Sequence, residues 1–419
     1  MFIIAAVLYL SLVFAAGIKE ITNYTIPFTE LGGFQWGPDG SMLFFNDHPD
    51  GAEVRYVPPS FPPNPVYTRT LSMEGADHVW FIPSLENADV FAVEAKWGGD
   101  HTIYGYKTGK KIVNTGEIQW HDGEIEGYQY ATWAGDNFVY MALTETLGTV
   151  HVQMYNNKFK LKTDALFECN SNNYGVPPVW LSPHGRYVGI DQLPTVSATL
   201  DVDIYRIGRK PRLMGQLQTK GGLHFDGKKD NFIYFILPTS PTEAFLEVDR
   251  IGSLKKLAKI NMSKVSSYLL NTKGKGSFGY VDTNNMLYIS SEKGVYGPFT
   301  IPEAQAGDKI FIAHYYGSDM ILLFNQPGNI RFYAYKVSKK GLKKKAGPET
   351  YSLLAWQTRT DKYLIVAYHN GTAYDTTIYT TKLKKVGSLF MNTAAKPKRR
   401  SMIDVKSDGT NTEFTIYKW

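Results

Sequence analysis

Two short groups of residues have the types and spacing for acid–base or metal chemistry. Asp77 and His78 are adjacent, and His121, Asp122, Glu124 and Glu126 crowd together with Gly123 between them. An imidazole beside carboxylates can move a proton near neutral pH. Carboxylates gathered from several loops can hold a hard cation such as calcium through oxygen ligands. The bland alternative for both groups is a solvated turn, since Asp-Gly pairs suit hairpins without any metal.

Other routes to catalysis are closed or diffuse. The histidines fall at 48, 78, 101, 121, 151, 184, 224, 314 and 369, never at the close pairing of a zinc motif. Neither a Gly-x-Ser-x-Gly elbow, a His-Glu-x-x-His pair, a phosphate-binding loop nor a dinucleotide fingerprint occurs. Cys169 is the single cysteine, so no intramolecular disulfide forms. Its flanks match no nucleophile pattern, which leaves a buried thiol or an intermolecular bridge. Any site must therefore be assembled from residues far apart in the chain.

A repeat is what would assemble them. Trp36-Gly-Pro-Asp-Gly40 followed by Met42-Leu-Phe-Phe45 reads as an aromatic strand end, a tight turn and a second apolar strand. The pattern returns at Trp80 with Val90, at Trp133 with Phe138 and at Trp180 with Tyr187, and more loosely from Phe225, Tyr280, Tyr315, Trp356 and Ile403. The first four intervals are 44, 53, 47 and 45 residues, the length of one propeller blade. Alternating third strands follow, as in Glu53–Val57 and Thr102–Lys107, and Arg212–Leu217 reads as a fourth. The expectation is an all-β propeller of about eight four-stranded blades, with seven as the alternative. The count is open where Tyr280 and Tyr315 lie only 35 residues apart. The terminal hairpin is too short for a blade, so Ile21–Ile26 is expected to join Ser401–Trp419 and close the ring, because an open ring would leave bare strand edges. Helix is scarce, and even Leu254–Leu269 is rich in Ser and β-branched residues.

Composition agrees with a large β core. The chain has 419 residues, 43% hydrophobic and 14% aromatic, which excludes disorder for its bulk. A formal net charge of +6 does not call for nucleic acid as a partner. Basic residues concentrate at Lys339–Lys345, Lys382–Lys385 and Lys396–Arg400, either as exposed turns or as a patch for anionic glycans or lipid head groups. Lys398-Arg-Arg400 also has the form of a processing site. Residues 1–17 form an uncharged apolar run ending in small residues and read as a signal peptide, with an uncleaved anchor as the alternative. That leaves 18–419 as a single domain, secreted to the extracellular space, with no later stretch apolar enough to span a membrane. Asn23, Asn261 and Asn370 begin glycosylation sequons.

The units around Trp36 and Trp180 resemble the aromatic-Ser-Pro-Asp-Gly hairpins of TolB-like and WD40-like propellers. The resemblance covers most of the chain as rhythm, supports the fold and implies no catalytic residue. A looser likeness to gluconolactonase-like propellers would imply a calcium-dependent lactone hydrolase, whose metal pattern is not identifiable here. The expected function is binding or scaffolding of an extracellular protein or glycan, with no cofactor. The alternative is a metal-assisted hydrolase or lyase using loops at the channel mouth, with calcium as its cofactor. Asp77, His78, His121, Asp122, Glu124 and Glu126 are the candidate ligand-binding residues under both readings.

Overall fold

Short apolar runs separated by Gly, Asn and Asp turns every ten or so residues can satisfy their backbone only by pairing with their sequence neighbours. The computed structural model shows this from end to end. It describes residues 18–419 apart from 49–50, 60–65, 85–87, 122–128, 144–148, 170–178, 193–198, 220–222, 226–229, 231, 241–242, 252–254, 272, 274–276, 292–293, 353–355, 361, 370–372 and 394–395.

The strands form nine four-stranded antiparallel sheets. Eight are consecutive in sequence: blades 1 to 8 span residues 33–72, 78–121, 129–168, 179–219, 223–261, 265–299, 309–351 and 356–391. Blade 9 is composite. Its inner strands are Lys396–Lys398, Ser401–Ser407 and Asn411–Lys418, and its outermost strand is Lys19–Pro27 from the other end of the chain.

Packing explains the ring. Strand alternation gives every blade two apolar faces, and each must be covered. The buried apolar residues fall into nine clusters, each joining one blade to the next. Phe91 and Phe45 share the seam of blades 1 and 2, while Phe138 and Trp120 share that of blades 2 and 3. The ninth cluster sets Phe414 and Ile416 of blade 9 against Trp36 and Phe44 of blade 1, so the ring is closed. Each fully buried large side chain of this kind contributes about 1.5–3 kcal/mol by leaving water. Polar bonds lock the same seam. Thr22 Oγ1 donates to Gly40 O at 2.7 Å, and Lys398 Nζ donates to Trp36 O at 2.6 Å.

The expected closure by Ile21–Ile26 is therefore observed, with Tyr24 facing Phe414 in register. The blade count is corrected to nine. Blade 6 is complete because it begins earlier, at the inner strand Val265–Leu270. The turn after Tyr280 joins its second and third strands, so it lies close to Tyr315 in sequence although blade 7 begins a full blade length after Val265, at Lys309. The doubtful helix at 254–269 is two strands, Lys255–Asn261 and Val265–Leu270, joined by a single 3-10 turn at Met262–Lys264.

Antiparallel order sorts the turns onto two faces. Links between blades and turns between second and third strands share one face, here called the upper. Turns between first and second strands, and between third and fourth, share the lower face.

Candidate functional site

The inner strand of blade 2, His78–Pro83, follows Asp77 at the upper mouth of the central channel. Asp77 is a clasp rather than a free acid. Its carboxylate Oδ2 accepts from Gly98 N at 2.6 Å, and its own N–H donates to Lys96 O at 2.7 Å. Trp97 Nε1 adds a bond to Glu74 O at 3.0 Å. These contacts tie the link from blade 1 to the second hairpin turn of blade 2 and so fix where His78 begins.

Period-two alternation then divides the strand. Val79 and Phe81 turn toward blade 1, where the Phe81 ring stacks on Phe45 at 5.1 Å. Ile82 turns toward blade 3. His78 and Trp80 lie on the same side as Ile82 but nearer the mouth, with ring centroids 5.2 Å apart. Trp80 remains 44% exposed. An indole of that size left in water on an inner strand is unusual for a packed core.

A hollow of about 630 Å³ opens at the seam of blades 1 and 2, lined by Phe34, Phe45, Asp47, Phe81 and Pro83 among others and touched by Trp80, whose indole stands on the blade 3 side of the strand. Two glycines keep it open. A Cβ on Gly32 would lie 2.5 Å from Asp47 Oδ1, and one on Gly33 would lie 3.1 Å from Phe81 Cδ1. Asp47 and its neighbour His48 are exposed. Aromatic walls with an exposed carboxylate can stack on an apolar ring face while accepting hydrogen bonds from its polar substituents.

Asp77 and His78 precede the lining stretch Val79–Pro83 and are not themselves among the residues that line this hollow. The backbone of His121 ends the outer strand of blade 2, pairing with Asp100 on the upper face. Asp122, Glu124 and Glu126 lie outside the described residues. Asp47 and Phe34 carry no local sequence signal of a site, and Trp80 reads in the sequence as one more repeat aromatic. The signal available was the uneven 44- and 53-residue spacing around it.

A second polar group has the composition of a hydrolase triad but not its geometry. Ser182 Oγ donates to Asp230 Oδ2 at 2.7 Å, and His184 Nδ1 sits 3.0 Å from Asp230 Oδ1. Ser182 Oγ also accepts from Arg186 N and Tyr187 N, both at 3.0 Å. Serine and histidine both turn to the aspartate, so the nucleophile has no base. The group joins the lower turns of blades 4 and 5. Among the described residues no group of three or more His, Cys, Asp or Glu is placed to hold a metal ion. Cys169 is buried in the seam of blades 3 and 4. The sequon residue Asn23 donates to Glu413 Oε1 at 2.7 Å, and Asn261 accepts from Ser263 N at 2.9 Å. Asn370 lies outside the described residues.

Fold and mouth together define a nine-bladed β-propeller of antiparallel four-stranded blades. No family model matches the chain, and no curated protein matches it. Solved structures with a similar arrangement include BamB from Moraxella catarrhalis, at 10% identity and TM-score 0.38, covering 96% of this chain and 98% of that one. The C-terminal WD40 domain of Sif2 shows 10% identity and TM-score 0.38 over 97% and 99%. An uncharacterized protein from Listeria monocytogenes EGD-e shows 9% identity and TM-score 0.41 over 91% and 99%. At these scores the likeness carries no argument, and the architecture rests on the chain's own strand pairing.

Proposed function

We propose that the chain is a secreted binding module whose ligand is a glycan held at the upper mouth around the inner strand of blade 2. The observation that carries this is Trp80, a half-exposed indole on an inner strand beside a hollow that also presents a carboxylate. Sugars pair an apolar C–H face with a rim of hydroxyls, which matches an aromatic platform next to an acceptor. Export through residues 1–17 and glycosylation at the three sequons belong to the same reading. Expression in a eukaryotic secretory host followed by N-terminal mass determination tests the leader directly.

A glycan array followed by calorimetry tests the site. Trp80→Ala is expected to weaken the best hit by on the order of thirtyfold, the scale of a tryptophan hot spot. Binding that is indifferent to Trp80→Ala and to Asp47→Asn defeats the assignment, and a hit confined to a protein array makes the ligand a protein. The hydrolase reading, with calcium as its cofactor, has no specific observation in its favour among the described residues.

A further inference from the structure

Exposed cations recur along one rim of this molecule. The turns between third and fourth strands lie on the outer rim of the lower face, and the five of them that are described in full, in blades 2, 3, 4, 7 and 8, carry exposed cations. Blade 2 contributes Lys110 and Lys111, blade 3 Lys158 and Lys160, and blade 4 Arg209 and Lys210. Across the ring, blade 7 contributes Lys339 and Lys340, and blade 8 Lys382 and Lys384. In blade 9, where the two ends of the ring meet in place of a turn, Lys418 pairs with Lys19 and both are exposed. Among the described residues none of these third-to-fourth turns holds an Asp or Glu. On the upper face, the described turns between second and third strands hold no Lys or Arg, and Asp100 and Asp408 flank or occupy two of them, while exposed Lys264 and Lys309 lie in or beside links between blades. Among the described residues, acids on the lower face lie mostly further in, at the first turns of blades such as Asp39 and Asp136, with Glu20 beside Lys19 on the outer strand of blade 9. The positive charge therefore forms a rim, not a filled disc.

A second feature coincides with it. Val113, Leu161, Leu213 and Val295 are each the first or second residue of a fourth strand, directly after the turn, and are 51%, 51%, 48% and 49% exposed. A chain this rich in buried apolar seams gains nothing in folding from leaving these four in water. Cations interleaved with apolar side chains on one flat face match an anionic bilayer, which attracts lysine and accepts hydrocarbon at its head-group boundary.

We infer that the lower rim docks the propeller flat on an anionic lipid surface, leaving the upper mouth facing away from it. The distribution favours a planar partner. A linear polyanion would engage one arc, whereas cations on blades 2, 3 and 4 and again on 7, 8 and 9 meet a plane together, and a sulfated polymer has no use for exposed Leu161 and Leu213.

The test is co-sedimentation of the full chain with phosphatidylcholine vesicles with and without phosphatidylserine. Binding is expected only with phosphatidylserine, and it falls steeply as salt shortens the reach of the charges. The Lys110→Ala, Lys111→Ala double variant should bind on the order of twentyfold more weakly, about fivefold per lysine. Leu161→Ser should weaken binding without changing its salt dependence. All substituted positions are exposed, and circular dichroism with thermal melting confirms that the variants remain folded. Equal binding to neutral vesicles, unchanged binding by the double variant, or retention on heparin without sedimentation with any vesicle would each overturn the inference.

Discussion

Trp36 and Trp80 stand on the inner strands of neighbouring blades, yet one is 4% exposed and the other 44%. Distance from the hairpin turn separates them. Trp36 pairs with Met42 immediately before its turn, and the Lys398 ammonium covers its ring at 5.0 Å. Trp133 sits almost equally close to its turn, opposite Phe138. Trp80 pairs with Glu94, three pairs beyond the turn-proximal Pro83–Phe91. Near the turn, the adjacent blade closes over an indole; nearer the upper mouth, the blades leave it to the channel. The same residue type therefore holds the ring together in one position and is free to meet a ligand in the other.

The largest effect should come from the buried member of this contrast. Trp133 is edge-on to Phe138 with ring centroids 5.3 Å apart, and its Nε1 donates to Ile82 O of blade 2 at 3.3 Å. Trp133→Ala removes the filler of that seam and a hydrogen bond across it, so a loss of about 3–5 kcal/mol is expected. Urea unfolding measures it, and a loss below about 1 kcal/mol would mean that seams can collapse around a missing indole.

That contrast also marks how far the sequence can be read. The hairpins are legible because Pro-Asp-Gly and Asp-Asn turns and period-two alternation are local signals. The composite ninth blade is legible because Ile403–Phe414 alone cannot cover its edges, which obliges Ile21–Ile26 to pair with it. Lys396–Lys398 was not legible as a strand, because three residues with two lysines look like a solvated or processed turn until Lys398 is seen bonded to Trp36 O. The ninth blade in the count was hidden by blade 6, whose recognisable turn after Tyr280 follows its second strand rather than its first, so the interval to Tyr315 looks too short for a blade. The mouth was least legible. Gly32, Gly33, Asp47 and Trp80 form a site only because two blades meet there, and their spacing along the chain has no motif to announce it.

A smaller effect, spread over several seams, follows from the tyrosines. Tyr56 and Tyr106 lie in the seam of blades 1 and 2. Burial pushes both hydroxyls up to about 12, with the carboxylates of Asp89 and then Asp39 adding to the rise at Tyr56 and the Arg69 guanidinium opposing it at Tyr106. An unfolded tyrosine releases its proton near about 10. Between these values the folded state holds more protons than the unfolded one. Stability is therefore complete below pH ~10 and is lost as pH rises toward ~12. Denaturation midpoints taken at rising alkaline pH should fall in that window, alongside the tyrosinate absorbance of the unfolded chain. Tyr106→Phe should flatten the slope; an unchanged slope would place the loss at other groups.

The smallest effect on stability belongs to the residue with the largest proposed effect on binding. Trp80→Ala removes an indole that is nearly half in water and whose nearest ring partner, His78, is itself exposed. Exposed substitutions of this kind shift stability by within about 0.5 kcal/mol, so the thermal midpoint should stay close to that of the parent chain. The pairing of Trp80 with Glu94 is made by backbone groups and survives the change. A loss approaching that of Trp133→Ala would show that the indole is a structural support for the inner strand, and the difference between the two tryptophans would then be one of degree. A stable variant that no longer binds its glycan would separate the two roles on a single strand position.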